Sequence, residues 1–108
     1  MRLRNSVSAA AGALLIALSV PTSAHAATGE FTYKTLLGVA HVIPDPPSHE
    51  CINVPGVSEL LAAHAPNNST NRAATVFREL DCGGDNYHVL QPGEQLGNLV
   101  RFRSVVFS

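Results

Sequence analysis

Apolar and polar residues alternate with a period of two in several short runs after residue 30, which is the pattern of β-strands with one buried face. The same runs are rich in aromatic and β-branched side chains. They predict strands at residues 31–36, 51–54, 73–78, 87–90 and 100–107. Turns that contain glycine or proline separate the later runs, at residues 81–86 and 91–94. We therefore predict an all-β fold, a small single-domain sandwich with Greek-key connections.

Two segments interrupt this β pattern. Residues 41–49 contain Pro44, Pro46 and Pro47, which fix φ and remove backbone donors, so an extended surface loop is predicted there. With Asp45, these prolines form a candidate partner-binding loop. Residues 58–64 combine helix-forming side chains with a serine placed to cap, which predicts one short helical turn. The asparagine-rich residues 67–71 predict a polar turn after it.

The N-terminus has the three-part pattern of a secretory signal peptide. Arg2 and Arg4 give a basic start, an apolar stretch follows at residues 9–20, and Ala24 and Ala26 form an A-x-A cleavage site. The apolar stretch is shorter than the roughly 20 residues that a membrane-spanning helix needs. We expect a signal-peptide helix at 1–26, an N-terminal strand and proline-rich segment at 27–49, and a β domain at 50–108.

Removal of the signal peptide changes the charge of the chain. The whole sequence has seven Lys and Arg against eight Asp and Glu, and loss of the two N-terminal arginines leaves five basic against eight acidic residues. A mildly acidic protein is a poor partner for nucleic acid or an anionic membrane, because both bind clustered Lys and Arg. We expect a secreted monomer without a membrane span, whose partner is an extracellular protein or a component of the cell envelope.

Cys51 and Cys82 are the two cysteines of the chain. A domain of about 80 residues has a marginal core and benefits from a covalent link. In an exported protein, two cysteines most simply pair with each other, whereas a metal or redox site would favour a C-x-x-C spacing that is absent here. Closing a loop of about 32 residues stabilises a fold by roughly 3 to 4 kcal/mol. We predict a structural disulfide.

The segment from Phe77 to Gly84, followed about twenty positions later by Ser104, resembles one Greek-key motif of the βγ-crystallin superfamily. The family pattern is aromatic-x4-aromatic-x-Gly, followed by a distant serine. In this chain Cys82 stands at the position of the second aromatic residue. The resemblance implies that Gly84 lets the first hairpin fold back with a positive φ, and that the Ser104 hydroxyl bonds across it. The match covers residues 73–107.

The resemblance also bears on metals and on the source of the chain. Many microbial members of the superfamily bind calcium through two Asp or Asn residues shortly before the serine, but the aligned residues here are Leu99 and Val100, which lack oxygen ligands in their side chains. We predict no metal and no cofactor. The whole chain is similar to small exported proteins of actinobacteria, some of which are related to proteinase inhibitors.

Catalytic motifs such as H-E-x-x-H and G-x-S-x-G are absent from the sequence. A triad of Ser48 or Ser104 with His88 and Asp85 is conceivable, but nothing in the sequence selects these residues. We therefore predict that the protein is not an enzyme. The leading hypothesis is a secreted, non-catalytic binding or structural domain. The alternative is a secreted proteinase inhibitor that presents residues 44–47 to a protease cleft, since a rigid scaffold can display such a loop.

Overall fold

The structure is a computed structural model that describes residues 26–108. The predicted signal peptide, with Ala24 of its cleavage site, lies outside the described residues and stays a prediction. In residues 26–108 the 3-10 turns Leu36–Gly38 and Leu80–Cys82 accompany eight strands. The strands are β1 (Gly29–Lys34), β2 (Ala40–Pro44), β3 (Ile52–Asn53), β4 (Ala63–Thr70), β5 (Ala74–Phe77), β6 (Tyr87–Leu90), β7 (Arg101–Phe102) and β8 (Ser104–Phe107).

The strands form two antiparallel sheets, with the order β2-β1-β4-β7 in sheet one and β3-β8-β5-β6 in sheet two. Each half of the chain, β1 to β4 and β5 to β8, supplies three strands to one sheet and one two-residue strand to the other. Thus β7 pairs with β4 of the first half, and β3 pairs with β8 of the second half. Because of this exchange, neither sheet is complete without both halves.

Four aromatic residues fill the centre of the sandwich. Phe31 and Tyr33 lie on β1, Phe102 on β7 and Phe107 on β8, and all four are buried. The Phe31 ring meets Phe102 and Phe107 edge to face, with ring centroids 6.0 Å and 5.4 Å apart. This arrangement suits the aromatic quadrupole and adds to the gain from burying the rings. Phe31 therefore joins the two sheets at their middle, and the alternation that predicted its strand is confirmed.

The predicted strand at residues 100–107 is divided at Arg103. Phe102 pairs with Ala63 in sheet one, whereas Ser104 pairs with Asn53 and Phe77 in sheet two. The Arg103 amide donates to Phe77 O at 2.8 Å, and its carbonyl accepts from the Val54 amide at 3.1 Å. The break costs no backbone hydrogen bond at this residue, since both polar groups find partners in sheet two.

The helical turn predicted at residues 58–64 is wrong. Ser58 and Leu61 bond to each other through both backbone groups, and the Ser58 hydroxyl accepts from the amides of Leu60 and Leu61 at 3.2 Å each. Serine thus closes a tight turn and does not cap a helix, since serine bonds to nearby amides in either setting. The chain enters β4 at Ala63 because strands of sheet one lie on both sides of it.

The extended loop predicted at residues 41–49 is also partly wrong, because its first part belongs to β2. This strand lies at the edge of sheet one and pairs with β1. The pairing runs from Glu30 opposite Pro44 to Lys34 opposite Ala40. Proline is tolerated at such an edge, where one side of the strand has no partner. The N-terminal residues therefore provide a central strand and an edge strand of the sandwich.

The polar turn predicted at residues 67–71 is wrong because most of these residues extend β4. Asn68 is fully buried and its amide nitrogen donates to Arg72 O at 2.7 Å and to Leu90 O at 3.0 Å. Its Oδ1 accepts from the amide and the hydroxyl of Thr70, at 3.1 Å and 2.7 Å. Since Leu90 lies in sheet two, Asn68 is a polar link between the sheets, with every donor and acceptor of its side chain engaged.

Replacing Asn68 by aspartate tests this link. Asn68→Asp removes both donors and places a carboxylate against the carbonyls of Arg72 and Leu90, so we expect the free energy of unfolding at neutral pH to fall by about 3 kcal/mol or more. Urea denaturation followed by circular dichroism measures it. Asn67→Asp is the matched control, since Asn67 is partly exposed in the same strand, and equal losses in both variants would contradict the assignment.

Candidate binding site

One end of the sandwich is formed by the turns at Leu36–Gly38, 58–61 and Leu80–Cys82. The 58–61 turn lies between the other two and shares a depression with each. A depression of about 200 Å³ is lined mainly by Leu36, Leu37, Leu60, Leu61, His64 and Arg101. A second, of about 500 Å³, is lined by Glu59, Arg78, Glu79, Leu80, Asp81 and Arg103. We call the four leucines the leucine end and the second depression the charged groove.

The leucine end exposes large aliphatic side chains from two separate turns. Leu37 is 93% exposed and Leu60 is 92% exposed, with Leu36 and Leu61 at 58% and 40%. Single exposed aliphatic residues are ordinary, but a contiguous group is typical of interaction surfaces. Sequence patterns did not predict this group. Its signal is the pair of Leu-Leu dipeptides: Leu36 and Leu37 end the alternation that begins at Phe31, and Leu60 and Leu61 lie in the segment predicted as a helical turn.

Leu37 has a backbone conformation that leucine rarely adopts. Its φ is +63°, in the left-handed region, where a Cβ crowds the neighbouring carbonyl and costs roughly 1 to 2 kcal/mol. The second half of the chain has the same turn at Leu80–Cys82, with Asp81 at φ +60°. Aspartate tolerates this conformation better than leucine does. Local backbone preference therefore does not explain the leucine at position 37.

Basic side chains adjoin the leucine end on the outer face of sheet one. Lys34 of β1 lies opposite His64 of β4, which lies opposite Arg101 of β7. The residues next to them in each strand, Tyr33, Ala63 and Phe102, are buried in the core. Because side chains alternate across a strand, Lys34, His64 and Arg101 point outward as one row. We call these three residues the basic row.

The charged groove has a different organisation. Arg103 donates from Nε to Ser58 O at 2.8 Å, from Nη1 to Arg78 O at 3.0 Å and from Nη2 to Glu59 O at 3.0 Å. This guanidinium is therefore a clamp that holds the 58–61 turn against the second half of the chain. Arg101 and Arg103 are two residues apart but do not share a face, since the change of sheet between them directs the two side chains into different depressions.

The predicted disulfide between Cys51 and Cys82 is confirmed. It ties the residue before β3 to the Leu80–Cys82 turn. Next to it, the Asn53 amide nitrogen donates to the Asp81 carboxylate at 2.9 Å, and the Asp81 backbone amide donates to Asn53 Oδ1 at 2.7 Å. The covalent bond and this reciprocal pair fix β3 of the first half to a turn of the second half.

The motif residues Phe77, Gly84 and Ser104 lie around the same turn. The Ser104 hydroxyl donates to Glu79 O at 2.6 Å and accepts from the Cys82 amide at 2.9 Å. Gly84 has a φ of +80°, and a Cβ there would come within 3.2 Å of Glu79 Cγ. Phe77 pairs with Ser104 in sheet two and packs on Tyr87, with ring centroids 5.7 Å apart.

The candidate partner-binding loop is bound to the start of β1. The Asp45 amide donates to Gly29 O at 2.7 Å, and the Gly29 amide donates to the Asp45 carboxylate at 2.9 Å. Pro46 is fully buried, and its carbonyl accepts from the Ala27 amide at 2.8 Å. Pro47 forms a bridge with Ala26. Only the side chains of Pro44, Asp45 and Pro47 reach the surface here, while much of the backbone is already hydrogen-bonded.

The groups considered for acid-base chemistry are not assembled into a reactive site. The Ser104 hydroxyl bonds to backbone groups, and the Ser48 hydroxyl is buried with no hydrogen-bond partner within residues 26–108. His88 is exposed on the edge strand β6. In the described part of the chain, no three His, Cys, Asp or Glu residues are placed to hold a metal ion.

His41 and Tyr33 instead form part of the scaffold. The His41 ring stacks on Tyr33 with centroids 5.1 Å apart, and its Nε2 bonds to the Thr35 hydroxyl at 2.9 Å. The Tyr33 hydroxyl donates to Pro55 O at 2.8 Å. Desolvation by burial raises the pKa of Tyr33 from 10.0 to about 12, which keeps this donor protonated.

Comparisons with known protein families, with curated proteins and with solved structures find no match to the chain. No helix long and apolar enough to cross a membrane occurs among residues 26–108. The arguments on function therefore depend on the residues and contacts of the chain itself.

Two buried serines give a matched test of the turn beneath the charged groove. Ser104→Ala leaves Glu79 O and the Cys82 amide without their partner, so we expect unfolding to become easier by about 1 to 3 kcal/mol. Ser48→Ala removes a hydroxyl that has no partner, so its effect should be near zero or stabilising. Chemical denaturation of both variants measures the difference. A Ser104→Ala loss no larger than that of Ser48→Ala would show that the hydroxyl does not hold this turn.

Proposed function

We propose that the protein is a secreted, non-catalytic binding domain that acts through the leucine end. The observation that carries this proposal is the exposure of four leucines from two turns that are far apart in sequence. Exposing aliphatic side chains to water is unfavourable, at about 25 cal/mol per Å² of apolar surface. A surface that retains such a group, with Leu37 in a left-handed conformation, is best explained by a partner that covers it.

The rigidity of this end supports a binding role. The Arg103 guanidinium holds the 58–61 turn through three carbonyls, two of which belong to the turn itself. The Cys51–Cys82 disulfide holds the neighbouring Leu80–Cys82 turn. A surface held in place before binding loses little conformational entropy when a partner arrives. The leucine end is therefore suited to binding without rearrangement.

Support for secretion comes from the disulfide and from the N-terminal sequence. Disulfides persist in oxidising compartments outside the cytoplasm. The first 26 residues have the basic, apolar and A-x-A parts of a signal peptide. Ala27 is buried and its nitrogen donates to Pro46 O at 2.8 Å. In a chain cut after Ala26 this nitrogen would be the terminal ammonium, which can still donate to the same carbonyl.

We also infer that each half of the chain is a Greek-key motif of the βγ-crystallin type. Three observations support this inference: the exchange of one strand between the halves, the positive φ of Gly84, and the Ser104 hydroxyl bonded across the folded turn. The first half repeats the turn, with Leu37 and Gly38 both at positive φ. Function does not follow from such a fold, which is why the proposal depends on the leucine end.

Two buried, hydrogen-bonded hydroxyl groups support the non-catalytic part of the proposal. Ser104 and Thr35 are buried, and both hydroxyls are engaged, Ser104 with backbone groups and Thr35 with His41. A nucleophile has to reach its substrate, so neither group is suited to attack. The alternative of an inhibitory loop at residues 44–47 has weaker support, because Pro46 is buried and Asp45 is bonded to Gly29. It stays a prediction.

Intact-mass analysis of the protein recovered from the medium tests export and processing. We expect a mass that begins at Ala27, and a gain of two hydrogens on reduction as the Cys51–Cys82 bond opens. Alkylation after reduction should then modify two thiols, and alkylation before reduction none. A retained N-terminus or free thiols would contradict the proposed secreted form.

Binding of the dye 1-anilinonaphthalene-8-sulfonate tests the leucine end. We expect the native protein to enhance dye fluorescence, and the double variant Leu37→Ser/Leu60→Ser to lose more than half of that enhancement. Its stability should change little, because both side chains are exposed. Val89→Thr/Leu99→Ser is the control, since these aliphatic residues are also exposed but do not line the leucine depression. Equal dye binding by both variants would overturn the proposed surface.

A further inference from the structure

We propose that the leucine end and the basic row together dock the protein on the surface of an anionic phospholipid bilayer. The inference rests on the proposed binding function and names the partner of that surface. It assigns the leucines to the boundary between headgroups and acyl chains, and Lys34 and Arg101 to the phosphates. Apolar insertion combined with attraction of cations to anionic lipid is the general basis of such binding.

The two parts form one continuous surface. His64 and Arg101 of the basic row line the same depression as the four leucines. Lys34 extends the row to the strand β1, which leads directly into the Leu36–Gly38 turn. Neighbouring strands are about 4.8 Å apart, so Lys34 and Arg101 are separated by roughly 10 Å across the sheet. An amphiphile with an aliphatic part and an anionic part therefore meets both chemistries at one place.

The shape of this surface favours a bilayer over other occupants. Leu37 and Leu60 project from the tips of two turns, whereas a site for a small molecule is usually a cavity of about 300 to 1,000 Å³. The depression between them is smaller, at about 200 Å³. A protein partner of standard size would need about 800 Å² on this side, and the apolar surface ends at the 58–61 turn, beyond which Glu59 lines the charged groove. A bilayer needs neither a deep cavity nor a large flat surface, because a few protruding leucines can enter it while the neighbouring cations contact its headgroups.

The distribution of charge sets the orientation of the docked domain. The carboxylates of Glu59, Glu79 and Asp81 line the charged groove, on the other side of the 58–61 turn from the leucine depression. Repulsion from anionic lipid should tilt that side away. Glu30 lies on the same outer face of sheet one as Lys34 but four residues away along β1, so contact with the bilayer should be confined to the leucine end and the basic row. The net negative charge of the mature chain opposes binding, but screening over about 8 Å at physiological salt weakens the more distant carboxylates most.

Sedimentation with vesicles tests the proposal on the secreted protein. We expect it to bind vesicles of phosphatidylcholine and phosphatidylglycerol, to bind pure phosphatidylcholine vesicles far less, and to dissociate as salt rises. Leu37→Ser/Leu60→Ser should weaken binding about tenfold or more. Lys34→Gln/Arg101→Gln should weaken binding to the anionic vesicles by about tenfold or more. All variants share one N-terminus, so differences among them report the docking surface.

Matched controls separate local from general effects. Val89→Thr/Leu99→Ser replaces two other exposed aliphatic residues, and Arg72→Gln/Arg78→Gln makes the same change in net charge outside the basic row. Both controls should bind like the original protein. If the charge control weakens binding as much as Lys34→Gln/Arg101→Gln does, attraction is general and the proposed row is overturned.

A tryptophan reporter gives an independent measurement, because the chain contains no tryptophan. With anionic vesicles, the emission of Leu60→Trp should shift to shorter wavelength, while that of Val89→Trp should stay unchanged. Absence of the Leu60→Trp shift together with absence of sedimentation would overturn the lipid proposal. If the leucine end still binds dye in that case, the lipid proposal fails while the proposed apolar binding surface stands. If dye binding is lost as well, the binding function itself fails.

Discussion

The exchange of short strands between the two halves of the chain is the constraint on which the rest of the structure depends. β3 completes sheet two and β7 completes sheet one, so each four-stranded sheet contains strands of both halves. Each exchanged strand has only two residues, which is too few for its backbone hydrogen bonds alone to hold it. Side chains at both crossings provide the additional bonds that hold these short strands in place. The Cys51–Cys82 bond and the Asn53–Asp81 pair fix β3, and the Arg103 clamp fixes the chain between β7 and β8.

Part of this fold is predictable from the sequence, because apolar and polar residues alternate along β1. Phe31 and Tyr33 point inward at a spacing of two, and the hairpin of β5 and β6 follows from glycines at its turn. The disulfide is predictable from composition, since two cysteines in an exported chain have one simple pairing. The failures have specific causes. Asn68 belongs to the core because four hydrogen bonds satisfy its side chain. Three of them are to Thr70 and Arg72, but no local pattern reveals the fourth partner, the Leu90 carbonyl, which is 22 residues away.

The binding surface was harder to predict because it depends on tertiary placement. Leu37 and Leu60 are more than twenty residues apart, and the antiparallel pairing of β1 with β4 brings their turns to the same end of the sandwich. Lys34, His64 and Arg101 are isolated in sequence and become a row through the register of three strands. A net charge summed over the chain cannot reveal such a row. The prediction that the chain does not bind anionic membranes was based on this average charge, and it stays a prediction that the vesicle measurements test.

The two halves contain the same kind of turn, at Leu36–Gly38 and at Leu80–Cys82, but with different side chains. This difference links fold to function. In the second half, Asp81 takes the left-handed position and bonds to Asn53 at the surface, which fixes β3 to this turn. In the first half, Leu37 takes the equivalent position and contributes almost nothing to packing, since it is nearly fully exposed. A repeated fold needs its strand crossings fixed, and the second half provides the disulfide, the Asn53–Asp81 pair and the Ser104 bonds for that purpose. The Leu36–Gly38 turn of the first half is not needed to fix a strand crossing, so its leucines are available to a partner.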